Sequence, residues 1–155
     1  MAPRAKKQHY VDNKELLAAV IRYKEDVEIA AIKGKPKPKV SEYIGGCFLK
    51  IATHLSYRPN FINYMYKDDM ICDGIENCIQ YIDNFDPAKS KNPFAYFTQI
   101  VYYAFLRRIA KEKRQMDIKD KILEKSGYDH VFSVDGDGHY DYSQIKSRVE
   151  MNTKR

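Results

Sequence analysis

Two rows of side chains carry what chemistry this sequence offers. Along residues 69–83 carboxylates and one amide recur at helical spacing: Asp69, Asp73, Glu76, Gln80 and Asp83. Such a row can meet a basic partner surface, hold a hard cation, or face water. Cation sites normally draw ligands from several chain segments, so a row on one helix is a poor cage. Along residues 96–114 a second row brings rings into line with cations: Tyr96, Gln99, Ile100, Tyr103 and Arg107, with Lys111 and Arg114 beyond them. Rings stack on unpaired bases and cations neutralise phosphates, so a row of both suits an opened nucleic-acid strand.

Catalytic constellations are missing from the sequence. It has no HExxH, no glycine-rich phosphate loop, no GxSxG and no CxxC pair. The histidines His9, His54, His130 and His139 are scattered. VDGDGHYDYSQ, residues 134–144, fails as a calcium loop because its third acidic ligand, following glycine and closing Glu are misplaced. The cysteines Cys47, Cys72 and Cys78 read as reduced thiols of a cytosolic protein. The expectation is no enzyme, no metal and no cofactor.

Both rows need helices to align them, and the sequence supplies helical patterns. Asp12 and Glu15 have capping-box spacing. Leu16, Leu17, Val20, Tyr23, Lys24, Val27 and Ala31 then recur at helical intervals, predicting a first helix over 13–32. GKPKPK, residues 34–39, ends it, because alternating prolines exclude helix and strand; it reads as a solvated, flexible connector. A second helix is expected over 41–57, with Ser41 as N-cap and Ile44, Phe48, Ile51, Ala52 and Leu55 on one face. Gly45 and Gly46 each weaken it by roughly 1 kcal/mol. His54 lies beside that stripe as a surface or hydrogen-bonded histidine. Arg58-Pro59-Asn60 stops the helix, and an aromatic connector fills 61–66.

The third helix begins near Lys67 or Asp68. At roughly 100° per residue Ile71, Ile75, Cys78, Ile79 and Ile82 fall on one side, the expected core side, opposite the acidic row. Gly74 inside this helix implies that something approaches its backbone closely. Asp86-Pro87 breaks the helix. The fourth starts at Pro93 and is expected to end near Lys113, with Phe94, Phe97, Thr98, Val101 and Phe105 packed on the third. Periodicity leaves two readings of its other face: an exposed aromatic-basic surface or a half-buried second core face. Beyond Arg114, residues 117–125 suggest a separate short charged helix, then Gly127 and two Asp-Gly pairs suit turns or a tail.

Size and composition fit this plan. The chain of 155 residues suits one compact domain plus tails. The expected division is a flexible basic arm over 1–11, an all-α, compact helical domain over 12–115, and a short helix with a mobile tail over 116–155. Apolar residues make up 44%, enough for a core, and 13 Tyr and 7 Phe with no Trp favour rings that carry a polar tip. Lys and Arg number 27 against 21 Asp and Glu, a net charge of +6 that permits nucleic acid as a partner. No apolar run approaches the ~20 residues that cross a bilayer, and MAPRAKK is not followed by a signal-peptide core. A soluble, intracellular protein with no membrane partner is expected.

The stretch DDMICDGIENCIQYIDNFDPAKSKNPFAYFTQIVYYAFLRRI, residues 68–109, resembles region two of the bacterial sigma factors. In that family an acidic-aliphatic helix ends in a Phe-Asp pair and an aromatic-rich helix follows. The parallel is gap-free. Asp69, Gly74, Phe85-Asp86-Pro87, Tyr96, Thr98 and Arg107 sit where the family has the same residue types, and GGCFLKIATHLSY fits the preceding sigma helix more loosely. VDNKELL, DGIE, NFD and KNPFAY are similar to one branch, the late-transcription sigma factors of T-even-type bacteriophages and their relatives.

The resemblance implies binding to core RNA polymerase, on the clamp helices of its largest subunit, through Asp69, Cys72, Asp73, Glu76, Asn77 and Gln80. Cys72 and Asp73 stand where the family often has Gln and Glu. It also implies capture of the non-template strand of an A/T-rich promoter element just upstream of the start site. Tyr96 keeps the family's aromatic. Gln99 and Ile100 replace an adjacent Trp pair, and Phe97, Tyr102 and Tyr103 are the nearest rings that could substitute. Arg107, Arg108, Lys111, Lys113 and Arg114 would contact phosphates. Core polymerase and promoter DNA are thus the implied partners, and the cytoplasm of an infected bacterial host the implied location. The branch also raises a phage coactivator and the replication sliding clamp. Its T-even members bind that clamp through an acidic-hydrophobic tail, whereas this sequence ends SRVEMNTKR, basic and poor in apolar residues.

Two other readings compete: a polymerase-independent helical DNA-binding regulator, and an adaptor that uses both faces to bind proteins. Opening duplex costs on average ~1.4 kcal/mol per base-pair step, while each stacked base returns roughly 1–3 kcal/mol. A few rings cannot hold open a bubble of many base pairs. The free protein is therefore expected to bind promoters weakly.

Overall fold

In the computed structural model, which describes residues 9–126, every regular element is helical. The order is α1 (Asn13–Ile32), α2 (Glu42–Ser56), α3 (Lys67–Tyr81), a 3₁₀ turn (Ile82–Asn84) and α4 (Pro93–Lys125). The all-α class expected from periodicity is the class found.

Local chemistry sets the boundaries. Asp12 Oδ1 accepts from the N–H groups of Lys14 and Glu15 and so caps α1. Glu15 does not complete a capping box; it accepts from the Tyr43 hydroxyl of α2 at 3.2 Å. Ser41 Oγ accepts from the Ile44 N–H and Asn92 Oδ1 from the Ala95 N–H, starting α2 and α4. Gly34 follows α1 with φ of 65°, a left-handed conformation that glycine reaches without a Cβ clash. The connector over 34–39 is exposed along nearly all of its length, and one ion pair reaches out from it. Lys37 pairs with Asp83, and Lys24 of α1 donates to the carbonyls of Asp83 and Phe85. Two lysines thereby satisfy carbonyl and carboxylate oxygens of the 3₁₀ turn and of Phe85, the residue that follows it.

One core joins all four helices. Leu16 and Val20 of α1, Ile44, Phe48 and Ile51 of α2, Met70 and Cys78 of α3, and Phe97, Val101 and Phe105 of α4 are fully buried or nearly so. The rings of Phe48 and Phe97 meet at 4.6 Å. The most extensive pairing is α3 on α4, and α4 packs directly on Gly74: a Cβ there would stand 3.1 Å from Val101 Cγ1. That is the close neighbour the glycine implied.

Three expectations are corrected. The buried stripe of α3 is Met70, Gly74 and Cys78, with Ile82 beyond, while Ile71 and Ile75 are half-buried and Ile79 is exposed. α4 approaches along the notch over Gly74, and this turns the helix away from the all-isoleucine side. Secondly, α4 does not stop near Lys113; it runs unbroken to Lys125, so no separate short helix exists. Residues 110–125 hold no Gly or Pro and are rich in good helix formers. The fading of apolar periodicity marks the loss of a core to pack on, not the end of the helix. Thirdly, the arm expected over 1–11 is not free at its end: Val11 is buried and Tyr10 stacks on His54 at 3.7 Å between ring centres. Residues 1–8 and the tail expected over 127–155 lie outside the described residues. Among the described residues no helix is long and apolar enough to cross a membrane.

Candidate nucleic-acid interface

The outer face of α3 displays Asp69, Cys72, Glu76 and Gln80 to solvent, with Asp73 and Asn77 half-buried at its margins. Asp73 is engaged. Arg108 of α4 donates to it twice, Nε to Oδ2 at 2.5 Å and Nη2 to Oδ1 at 2.8 Å, and its Nη1 reaches Glu112 at 3.4 Å. The hydrogen bond to Asp73 raises the pKa of the Arg108 guanidinium further. Arg108, assigned by resemblance to phosphates, thus turns inward onto α3. Its spacing from Phe97, Val101 and Phe105 puts it on their side of α4, a signal the same helical plot contains.

The outer side of α4 divides at Tyr103. On one flank Tyr81, Tyr96, Ile100, Tyr103 and Arg107 line an open cleft of about 270 Å³. Tyr96 is its floor: half-buried, packed on Phe85 at 5.2 Å between ring centres, its hydroxyl donating to the Tyr81 carbonyl at 2.9 Å. Burial raises the pKa of that phenol. Tyr96 is therefore rigid, while Tyr103, exposed by 50%, is free to meet a ligand. On the other flank Arg58, Asn92, Phe94, Thr98, Gln99, Tyr102 and Tyr103 line a second cleft of about 560 Å³. Tyr102 leans edge-on against Phe61 at 5.7 Å and meets Tyr103 at the same distance.

Of the six positions expected to capture bases, five lie on these two clefts: Tyr96, Gln99, Ile100, Tyr102 and Tyr103. Phe97 does not. It is fully buried between Phe48 and Phe85 and is a core residue. The open question about the second face of α4 resolves unevenly, since Ile100 and Tyr96 are half-buried while Tyr102 and Tyr103 are exposed. Among the expected phosphate contacts, Arg107, Lys111, Lys113 and Arg114 are exposed. Lys113 lies about 120° round the helix from Arg107 and off its line.

Several residues of the clefts escaped the sequence reading. Tyr81 ends α3, and Arg58 follows α2; each reaches α4 only through the fold. Tyr10 and His54 line a third opening beside Arg58 and Thr98, continuous in its lining with the second cleft. Neither protein-family models nor curated proteins give a match to this chain.

Proposed function

We propose that the protein is a sigma factor of the region-two type, acting on late promoters of a phage in its bacterial host. The exposed carboxylates of α3 dock on a basic surface of core RNA polymerase, the clamp helices of its largest subunit. The clefts around Tyr103 take unpaired bases of an A/T-rich element, and Arg107, Lys111 and Arg114 bind phosphates beside them. One observation carries the proposal: the two helices packed most closely against each other turn unlike faces outward, α3 acidic and α4 aromatic-basic. A single rigid unit can then hold a protein on one side and a strand on the other. The sequence resemblance over residues 68–109 supports the same division of labour.

Run-off transcription by core polymerase on an A/T-rich promoter tests it. Initiation should depend on added protein, and polymerase that binds the protein but never initiates would sink the proposal. The second reading, a DNA-binding regulator that works alone, has one observation in its favour. Arg108 neutralises Asp73, which removes a charge from the acidic face. It predicts tight, salt-dependent promoter binding by the isolated chain, without polymerase.

A further inference from the structure

The outer side of α4 carries cations to its last turn. At 3.6 residues per turn Arg107, Lys111, Arg114, Lys121 and Lys125 fall within a sector of about 80° that continues the line of Tyr96, Ile100 and Tyr103. The carboxylates of the same stretch are turned away. Asp117, Asp120 and Glu124 lie about 80–140° from the centre of that sector, and Glu112 faces Arg108. All five cations are exposed, and among the described residues none pairs with a carboxylate. Like charges in a line repel one another, so an anion of matching length laid along them is favoured.

Two measures decide which anion. Arg107 to Lys125 spans about 27 Å at 1.5 Å per residue, the length of about 8 base pairs of B-form DNA. Rings are also confined to the first half of α4: no aromatic residue stands between Phe105 and Ser126. A single strand would find phosphate partners there but nothing to stack on. Intact duplex offers phosphates without exposed base faces. We infer that this side of α4, from Arg107 to Lys125, is a rail for the phosphate backbone of duplex DNA adjoining the opened strand. The inference rests on the strand-binding reading above for its direction, and it extends the contact by Lys121 and Lys125 beyond every position assigned there.

The test uses the full chain and fluorescence anisotropy on three DNAs. These are an A/T-rich single strand alone and the same strand carrying a duplex arm of about 4 or about 12 base pairs, shorter and longer than the rail. The longer arm should bind tighter. The double variant Lys121→Glu with Lys125→Glu should lose roughly tenfold on the longer arm at low salt. It should lower the slope of log affinity against log salt by about 2 and bind the single strand unchanged. Asp117→Lys, about 40° outside the sector, should strengthen binding to the longer arm. An arm that adds nothing overturns the inference, as does a double variant indistinguishable from the natural protein on the longer arm. So does an equal loss on polyglutamate, which would make the rail a seat for acidic protein. Failure to bind the single strand while the arm-dependent loss persists overturns the strand-capture reading and leaves the rail standing.

Discussion

Arg108 grips Asp73 with two parallel hydrogen bonds, at 2.5 and 2.8 Å, and thereby ties the acidic helix to the aromatic one. Their side chains are 19% and 27% exposed, between a surface bridge, worth about 0–1 kcal/mol, and a buried one whose broken half costs about 3–5 kcal/mol. Asp73→Ala or Arg108→Ala should each destabilise the fold by roughly 1–3 kcal/mol in urea titrations. The double alanine variant should cost less than the sum, because neither charge is then stranded. Arg108→Lys should restore little, since an ammonium cannot reproduce the paired fork.

The helical glycines should respond to alanine with opposite signs. A Cβ on Gly45 or Gly46 meets no atom within 4 Å, so each change should gain about 0.5–1 kcal/mol through helix propensity. At Gly74 the new methyl would press on Val101 Cγ1 at 3.1 Å and Phe105 Cε1 at 3.4 Å. Val101 is fully buried and, being β-branched in a helix, holds one χ1 rotamer, so it cannot swing aside. Overpacking of about 1–3 kcal/mol should outweigh the propensity gain, and Val101→Ala should relieve it. Melting temperatures of the single and double variants check both signs.

Two aromatic residues of α4 should separate binding from folding. Tyr103→Ala removes an exposed ring shared by both clefts. It should weaken single-strand binding by roughly 1–3 kcal/mol per stacked base while leaving the melting temperature nearly unchanged. Phe97→Ala should instead cost about 3–5 kcal/mol of stability, and any loss of DNA binding would follow from unfolding. If Phe97→Ala keeps its stability, the core assignment fails.

The contrast between these rings marks what the sequence made legible. Helix α1 was readable to its ends because Asp12 and Gly34 are local signals acting within a turn. The inward side of α4 was readable because Phe97, Val101 and Phe105 share one meridian. The buried side of α3 was readable only in part: Cys78 and Ile82 fell on it, but its centre is a residue with no side chain. Gly74 contributes nothing to an apolar plot, yet α4 packs directly on it. The clefts were only half legible. Tyr96, Ile100, Tyr103 and Arg107 come from one helix, but Tyr81 and Arg58 join them through packing between helices, which no single-helix period encodes.

Alkaline pH should loosen the structure, and the sign follows from burial. The thiol of Cys78, wholly inaccessible to solvent, is pushed up to about 12. Burial likewise pushes the Tyr66 phenol up to about 12, its hydroxyl enclosed without a hydrogen-bond partner. Both groups hold their protons more firmly folded than unfolded. Their contribution is therefore complete below the unfolded pKa and is lost as pH rises toward 12, by up to roughly 1.4 kcal/mol per pH unit for each group. Stability should be flat from pH 7 to 8 and fall above about pH 9, and Cys78→Ala should soften that fall from its onset, since the thiol titrates before the phenol in the unfolded chain. Maleimide labelling should find Cys72 promptly in the native protein and Cys78 only as fast as the fold opens.

The acidic face needs a test that spares the fold. Reversing Asp73 would strand Arg108 beside a new cation, so a loss of polymerase binding by that variant would say nothing about docking. Asp69 and Glu76 are exposed on the same face and join no salt bridge among the described residues. Asp69→Lys with Glu76→Lys should therefore leave melting nearly unchanged and abolish capture by core polymerase. It should also leave binding to an A/T-rich single strand as tight as before, or tighter, since two negative charges become positive. Loss of polymerase binding with strand binding intact separates the two faces as the sigma proposal requires. Full polymerase binding by this variant would remove α3 from the docking surface and leave the DNA-binding regulator as the better account.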